Sequence, residues 1–201
     1  MPAEEQPTVR ARKEPILGQR GLCVWLTGLS GSGKSTLARA LEHELERRDV
    51  HCAVLDGDLL RTGLNHGLGF SEADRTENVR RAAEVARLLV QHGTVAIAAL
   101  ITPARAMRDH ARAIVGEADF VEVFVDAPLD ECERRDVKGL YRRARHEQVR
   151  HFTGITAPYE APDRPHLRLP TAELDLAACL QQLLAFTLPR IQRDPSCTPT
   201  A

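Results

Sequence analysis

The sequence predicts an α/β protein in which five strands form a mostly parallel sheet with helices on both faces. Short apolar runs alternate with amphipathic stretches along the chain, which is the pattern of strands joined by crossover helices. The chain has 201 residues, of which 43% are hydrophobic and 27% are charged. This length suits one domain that buries its own core without disulfides or metal.

Five apolar runs are the predicted strands. In chain order they cover residues 22–27, 50–55, 94–101, 120–126 and 167–169. The run at 94–101 is the most uniformly apolar, which is typical of a strand inside a parallel sheet. The run at 167–169 is short, and we expect it at an edge.

Five segments between and after the strands are the predicted helices. Leucine recurs every four residues after Lys34, which gives one apolar stripe. Residues 71–91 begin with a capping serine and carry a second stripe. Pro103 can open a third helix at its first turn. Two further helices are predicted at residues 129–135 and 172–188.

Residues 136–165 lack periodicity, and their first half is rich in arginine. A long irregular segment inside a domain is usually either a functional lid or disordered. We interpret this one as a basic lid. The domain is predicted to span residues 21–188, between loosely held polar tails at residues 1–20 and 189–201.

Charge, hydropathy and cysteine usage exclude several classes of protein. The net charge is -1, so bulk attraction to nucleic acid or to an anionic membrane is not expected. No apolar run reaches the roughly 18 residues that span a bilayer, and residues 1–21 are polar and lack the apolar stretch of a secretory signal. The five cysteines form no Cys-x-x-Cys pair and the histidines show no metal-ligand spacing. We expect a cytoplasmic protein with no nucleic-acid or membrane partner.

The strongest motif is a phosphate-binding loop between the first strand and the first helix. It consists of Gly28, Leu29, Ser30, Gly31, Ser32, Gly33, Lys34 and Ser35, followed by Thr36. Its glycines let backbone N–H groups turn inward, and the helix N-terminus adds the positive end of its dipole. Lys34 would reach the terminal phosphates, and the Ser35 hydroxyl would ligate Mg²⁺. The loop predicts a nucleoside triphosphate site, and the alternative is a glycine-rich turn with a solvated lysine.

Two aspartates follow the second predicted strand. This position places Asp56 and Asp58 beside the phosphate loop at the carboxyl edge of the sheet, where open α/β folds bind ligands. A carboxylate there can accept the proton of an acceptor hydroxyl or organise hydrated Mg²⁺. We favour Asp58 as the reacting group, with Asp56 either assisting or capping a turn; alternatively, both only form a turn. No guanine-reading Asn-Lys-x-Asp occurs, so a small-molecule kinase is favoured over a signalling GTPase.

Longer motifs in the same order carry a family resemblance. They are GLSGSGKST at 28–36, LDGD at 55–58, GLN at 63–65, LGFS at 68–71, DRTENVRR at 74–81, FVEVFVD at 120–126, KGLY at 138–141 and FTGI at 152–155. Together they resemble the adenylylsulfate kinase (APS kinase) family.

The resemblance implies a three-layer P-loop kinase fold and a reaction. In that reaction the γ-phosphoryl of ATP passes to the 3'-hydroxyl of adenosine 5'-phosphosulfate, which gives ADP and 3'-phosphoadenosine 5'-phosphosulfate in sulfate assimilation. The resemblance also implies Mg²⁺, a homodimer, and a functional link to a sulfate adenylyltransferase.

The resemblance further assigns the acceptor site. Phe70 and Phe152 match the adenine-stacking phenylalanines of the family. Both lie in polar, glycine-containing segments, where a phenylalanine has little core to join, so stacking on a base is favoured. The alternative is that each ring packs against the protein and anchors its loop. Arg61 and Arg75 match the phosphosulfate arginines, whose guanidinium forks suit phosphate and sulfate oxygens. Asn78 follows Arg75 by one helical turn and shares its face.

The end of the third predicted strand departs from the family pattern. The sequence reads Leu-Ile-Thr-Pro at residues 100–103, where the family commonly has Leu-Ile-Ser-Pro and its serine has been treated as a phosphorylation site. Ile101 and Thr102 are expected at the substrate, and Thr102 keeps the hydroxyl. Direct in-line transfer needs no phosphoenzyme, so we expect substrate contact and not a covalent role. Lys138 matches the lid lysine, and a closed lid would exclude water.

Two other functions stay open from the residues alone. One is a P-loop kinase for a different small hydroxyl compound, such as a sugar acid or an antibiotic. The other is a nucleotide-binding sensor or a non-catalytic subunit of a sulfurylase complex. Turnover that depends on adenylylsulfate separates both from the APS kinase prediction.

Overall fold

The computed structural model describes residues 8–136, 139–145 and 152–192, and these contain five strands and eight α-helices. The strands are β1 (Leu22–Thr27), β2 (Cys52–Asp56), β3 (Val95–Ala99), β4 (Phe120–Asp126) and β5 (Leu167–Pro170). The helices are α1 (Val9–Leu17), α2 (Lys34–Glu46), α3 (Gly57–Thr62), α4 (Glu72–Gln91), α5 (Arg105–Val115), α6 (Leu129–Arg135), α7 (Leu140–Arg145) and α8 (Leu176–Ile191).

The strands form a single sheet in the order β2-β3-β1-β4-β5. Every neighbouring pair is parallel, and parallel neighbours require crossover connections that cover the faces of the sheet. The predicted α/β fold with five strands is confirmed. As predicted, β5 is an edge strand.

Alternate residues of β1 face two different cores. Leu22, Val24 and Leu26 belong to the cluster that contains the apolar faces of α2 and α8. Cys23 and Trp25 belong to the cluster that contains α4 and α5. Because side chains alternate across a strand, the sheet is the middle of three layers. The predicted three-layer arrangement is therefore confirmed, and the carboxyl ends of all five strands meet at one edge.

The segment before β1 differs from the loosely held tail that the sequence predicts. Its described part begins with α1, which is capped by the Thr8 hydroxyl. After the helix, Gln19 is buried and donates from Nε2 to the carbonyls of His51 (2.8 Å) and Gly93 (2.7 Å). Pro15 lies inside this helix. Because a proline in a polar segment is a sequence signal against a helix, the sequence does not predict α1.

Four other elements differ from the sequence prediction. The short helices α3 and α7 lie where the sequence predicts irregular chain. The last helix, α8, begins after the capping residue Asp175 and not near residue 172. Strand β3 ends at Ala99, so residues 100–103 leave the sheet and form a loop at its carboxyl edge.

The described residues give two further findings on chemistry and location. No helix among them has the length and apolar character of a membrane-spanning segment. The cysteines of this part of the chain, at positions 23, 52, 132 and 179, are free thiols.

Candidate active site

A cleft of about 1040 Å³ opens at the carboxyl edge of the sheet. Ligand pockets usually measure about 300–1,000 Å³, so this cleft has room for a nucleotide and a second ligand. Most of the site residues predicted from the sequence line it: Ser30, Gly31, Ser32, Gly33, Lys34, Ser35, Thr36, Asp58, Arg61, Phe70, Arg75, Asn78, Ile101, Thr102 and Phe152. Gly28, Leu29 and Asp56 are not among the lining residues, and Lys138 lies outside the described residues.

The phosphate loop requires glycine at specific positions. Gly28, Gly31 and Gly33 have φ values of 152°, 77° and 101°, in the region that side-chain-bearing residues rarely adopt. A Cβ at Gly28 would lie 2.4 Å from the carbonyl oxygen of Val125. A Cβ at Gly31 would lie 3.0 Å from that of Cys132. The loop therefore packs its backbone directly against neighbouring backbone.

Side chains from distant segments hold three successive carbonyls of the loop. The donors are Tyr141 Oη to Ser30 O (2.8 Å), Arg135 Nη1 to Gly31 O (3.3 Å) and Thr171 Oγ1 to Ser32 O (2.8 Å). Two N–H groups of the loop are also engaged, since Ser32 N donates to Leu29 O and Gly28 N donates to Ile101 O, so a phosphate would bind the remaining N–H groups. Inward N–H groups form the concave anion site that phosphate needs.

Lys34 adds a cation to this anion site. It is the first residue of α2 and is only 8% exposed. Its Nζ donates to Leu29 O at 2.6 Å and to Ser32 Oγ at 3.4 Å. The ammonium thus lies against the loop, and the N-terminus of α2 contributes its positive dipole at the same point. Ser35 and Thr36 follow in the first turn and also line the cleft.

The two aspartates have different environments. Asp56 is 6% exposed, and its Oδ1 accepts from the backbone N–H of Asp58 at 2.9 Å, which caps α3. Asp58 is exposed in the first turn of α3 and lines the cleft. This geometry supports the alternative in which Asp56 caps and Asp58 meets the substrate.

Two arginines lie close to the ring of Phe70 in the wall of the cleft. The Cζ atoms of Arg61 and Arg75 lie 4.5 Å and 5.7 Å from its centroid. Arg61 donates to the carbonyls of Leu68 and Gly69, and Arg75 donates to Phe70 O. Burial lowers the pKa of both guanidiniums, and the charge of Arg61 lowers that of Arg75 further. Both stay protonated at neutral pH, so this wall presents two half-buried cations that favour an anion.

Ile101 and Thr102 lie in the loop after β3. Thr102 is 2% exposed, has a φ of 44°, and accepts a hydrogen bond from the indole Nε1 of Trp25 at 3.0 Å. Its hydroxyl is therefore engaged in the core. The Thr102 carbonyl is also engaged, because it accepts a hydrogen bond from Arg108 Nη1 at 2.8 Å.

Phe152 belongs to an apolar cluster of the lid. It is 8% exposed and packs edge-to-face against Tyr141, with ring centroids 4.9 Å apart. Ala127 and Cys132 are in the same cluster. The argument that a phenylalanine here has little core to join is therefore wrong. The ring still borders the cleft, and adenine stacking stays a prediction.

Residues that sequence reasoning missed also line the cleft, beside the phosphate loop and around the start of α8. They are Arg135 at the end of α6, and Thr171, Leu174, Leu176 and Cys179 around the start of α8. No motif marks them, because only the fold brings α6 and α8 together. A guanidinium beside apolar side chains suits a nucleobase.

The family model of adenylylsulphate kinase matches residues 20–170 of this chain. The chain belongs to the adenylylsulphate kinase family. An adenylyl-sulfate kinase of Bacteroides fragilis is 53% identical over 192 residues, which cover 96% of this chain and 95% of the relative.

Solved structures of this family share the fold described above. The Mycobacterium tuberculosis APS kinase CysC, in complex with AMPPNP and APS, superimposes with a TM-score of 0.81 at 47% identity; the match covers 84% of this chain and 98% of that chain. A hexameric APS kinase from Thiobacillus denitrificans has a TM-score of 0.65 at 34% identity over 89% of this chain and 31% of that chain.

Proposed function

We propose that this protein transfers the γ-phosphoryl of ATP to the 3'-hydroxyl of adenosine 5'-phosphosulfate, giving ADP and 3'-phosphoadenosine 5'-phosphosulfate for sulfate assimilation. The observation that carries the proposal is the pairing of Arg61 and Arg75 around Phe70 in the same cleft as the phosphate loop. A phosphate loop alone would serve any P-loop kinase. Two cations beside an exposed aromatic ring suit an acceptor that has both an anionic group and a base.

The triphosphate end of the cleft holds ATP. The N–H groups of the loop bind the phosphates, and Lys34 balances the charge that develops on the transferred group. The adenine lies beside Arg135 and the segment at the start of α8. The lid then covers both ligands and excludes water as a competing acceptor.

Mg²⁺ fits the donors that line the cleft. The Ser35 hydroxyl is an oxygen ligand, and the Asp58 carboxylate can orient the ion's water ligands. Among the described residues, no group of three or more His, Cys, Asp or Glu could hold a metal; Mg²⁺ typically binds one or two protein oxygens and completes its shell with water and phosphate. When bound, it neutralises the charge on the β- and γ-phosphates.

The acceptor end of the cleft activates the ribose hydroxyl. Asp58 accepts the proton of the 3'-hydroxyl while the oxygen attacks the γ-phosphorus in line. Arg61 and Arg75 bind the phosphosulfate, and Phe70 contacts the adenine. The Thr102 hydroxyl is engaged with Trp25, which supports direct transfer without a phosphoenzyme.

Lys138 and Phe152 complete the substrate site in this proposal, with Lys138 over the phosphates and Phe152 at the adenine. The homodimer, the cytoplasmic location and the link to a sulfate adenylyltransferase also stay proposals. Light scattering of the purified protein measures the oligomeric state directly, and a hexamer like that of the Thiobacillus relative would contradict the dimer.

A coupled ADP assay with a panel of hydroxyl acceptors tests the function. We expect ADP release that depends on adenosine 5'-phosphosulfate, with AMP and gluconate as inactive controls. Lys34→Ala and Asp58→Asn should each abolish most of the release. Release with gluconate, or ATP binding without any release, would contradict the proposal.

A further inference from the structure

Two buried asparagines meet behind the wall that carries the arginines. Asn65 is 0% exposed, and its Nδ2 donates to Oδ1 of Asn78 at 3.0 Å. Asn78 is 7% exposed and lines the cleft, whereas Asn65 is not one of the lining residues. The other polar side-chain atom of Asn65, Oδ1, is buried and has no hydrogen-bond partner among the described residues.

Asn65 is the centre of the turn that joins α3 to Phe70. Its backbone N–H donates to Leu60 O at 2.8 Å, and its carbonyl accepts from Leu68 N at 3.2 Å. The backbone groups of Asn65 thus close the turn, and its side chain reaches across to α4. The residue connects the two segments that carry Arg61 and Arg75.

The bond between the asparagines decides which end of the Asn78 amide can meet a ligand. Asn78 has one acceptor oxygen and one donor NH₂ group. Because Asn65 engages the oxygen, the group that Asn78 can offer in the cleft is its NH₂. A donor at this position suits an oxygen of the acceptor substrate, whereas a carbonyl oxygen would repel an anionic one.

The buried oxygen Oδ1 of Asn65 has no partner among the described protein atoms. A buried polar atom without a partner costs free energy, and such an atom in a native structure is explained by a function, by strain or by a bound water. If both side-chain amides were turned over, so that oxygen and nitrogen changed places, the buried Asn65 nitrogen would have no partner. The Asn78 oxygen would then face the cleft in place of its NH₂ group.

We propose that Asn65 is a positioning residue that fixes the Asn78 amide with its NH₂ directed at an oxygen of adenosine 5'-phosphosulfate. This inference rests on the proposed function, because it assigns the acceptor to this wall of the cleft. Asn65 thereby acts on acceptor affinity without touching the acceptor. ATP, which binds on the phosphate loop, does not depend on this pair.

Steady-state kinetics of Asn65→Ala test the proposal. The variant frees the Asn78 amide to rotate, so KM for adenosine 5'-phosphosulfate should rise about tenfold, the effect of one hydrogen bond to a charged group. KM for ATP should stay within about twofold. Asn65→Asp should raise the acceptor KM at least as much, because a carboxylate only accepts and so turns the Asn78 NH₂ away from the cleft.

Arg81→Gln is the matched control for the turn. Arg81 ties the same turn to α4 by donating to Leu64 O at 2.9 Å, without touching either asparagine. If Asn65 positions Asn78, this control leaves the acceptor KM nearly unchanged. An equal rise in Arg81→Gln, or a parallel rise in KM for ATP, would overturn the proposal in favour of a structural role.

A double-mutant cycle measures the coupling between Asn65 and Asn78. Once Asn78→Ala has removed the amide, adding Asn65→Ala should not raise the acceptor KM further. A further tenfold rise in the double variant would overturn the proposal. Thermal unfolding of each variant shows whether it is folded at the assay temperature.

Side-chain amide NMR of the wild-type protein gives a readout that does not depend on turnover. The Asn65 NH₂ should be protected from solvent exchange, and the Asn78 NH₂ should exchange faster and shift when adenosine 5'-phosphosulfate is added. The reverse pattern of protection would overturn the orientation. If the pattern holds and no acceptor-dependent ADP is released, the proposed function fails while the orientation stands.

Discussion

Substituting Asp56 and Asp58 one at a time distinguishes the aspartate that caps α3 from the aspartate that accepts the proton of the substrate. Asp56 accepts from the Asp58 N–H and caps α3, and it is 6% exposed. Asp58 lines the cleft. The pair Asp56→Asn and Asp58→Asn removes one carboxylate charge at each position and preserves the shape of both side chains.

The expected magnitudes differ for the two positions. Asparagine caps helices about as well as aspartate, so Asp56→Asn should change stability little and keep most of the turnover. Asp56→Ala removes the cap, which costs about 1 kcal/mol and lowers Tm by about 2–4 °C in a domain of this size. Asp58→Asn removes the proton acceptor, which contributes about 10²–10⁴ in kcat, or about 3–5 kcal/mol of barrier.

The assay is ADP release at saturating ATP and adenosine 5'-phosphosulfate, with thermal unfolding of the same preparations. We expect Asp58→Asn to have nearly wild-type Tm and strongly reduced kcat, and Asp56→Ala to show the lower Tm. Equal loss of kcat in Asp56→Asn and Asp58→Asn would refute the division of roles, as would near-normal turnover of Asp58→Asn.

Three further predictions concern the arginine wall, the phosphate loop and the acid stability. Arg75→Ala should raise KM for adenosine 5'-phosphosulfate about 10- to 100-fold and leave KM for ATP unchanged, since hydrogen bonds to charged groups contribute about 1.5–3 kcal/mol; equal changes in both KM values would contradict this. Gly28→Ala should lower Tm and weaken ATP binding in calorimetry, because the new Cβ would lie 2.4 Å from a carbonyl oxygen of β4. Hydrogen bonds from Arg80 and Arg81 hold the pKa of Glu77 at about 2, below its ordinary value of 4.5. The ionised form therefore stabilises the fold above the ordinary value and loses this effect as the pH falls toward about 2, so a Tm difference between wild type and Glu77→Gln should disappear in acid.

The sequence predicts the sheet and the phosphate loop well because their signals are local. Apolar runs mark strands that are covered on both faces, and the phosphate loop fits a pattern whose glycines the backbone geometry requires at Gly28 and Gly31. The short helix α3 escapes prediction because six residues are too few to show periodicity. Its LDGD start is equally compatible with a turn.

The remaining parts of the site depend on contacts between distant segments. Tyr141, Arg135 and Thr171 converge on the phosphate loop from beyond residue 130, and their spacing in the sequence carries no trace of that contact. Phe152 looks like a loop residue until α7 brings Tyr141 against it. The resemblance places side chains at a site, whereas packing decides which atoms they present, as the engaged hydroxyl of Thr102 illustrates.

The most direct measurement is a crystal structure of the protein with a non-hydrolysable ATP analogue and adenosine 5'-phosphosulfate. We predict that an Asp58 carboxylate oxygen lies within about 2.6–3.2 Å of the ribose 3'-oxygen, with the sulfonated end between Arg61 and Arg75. An acceptor whose 3'-oxygen faces Thr102 or Asp56 instead, with Asp58 out of hydrogen-bond reach, would contradict the account.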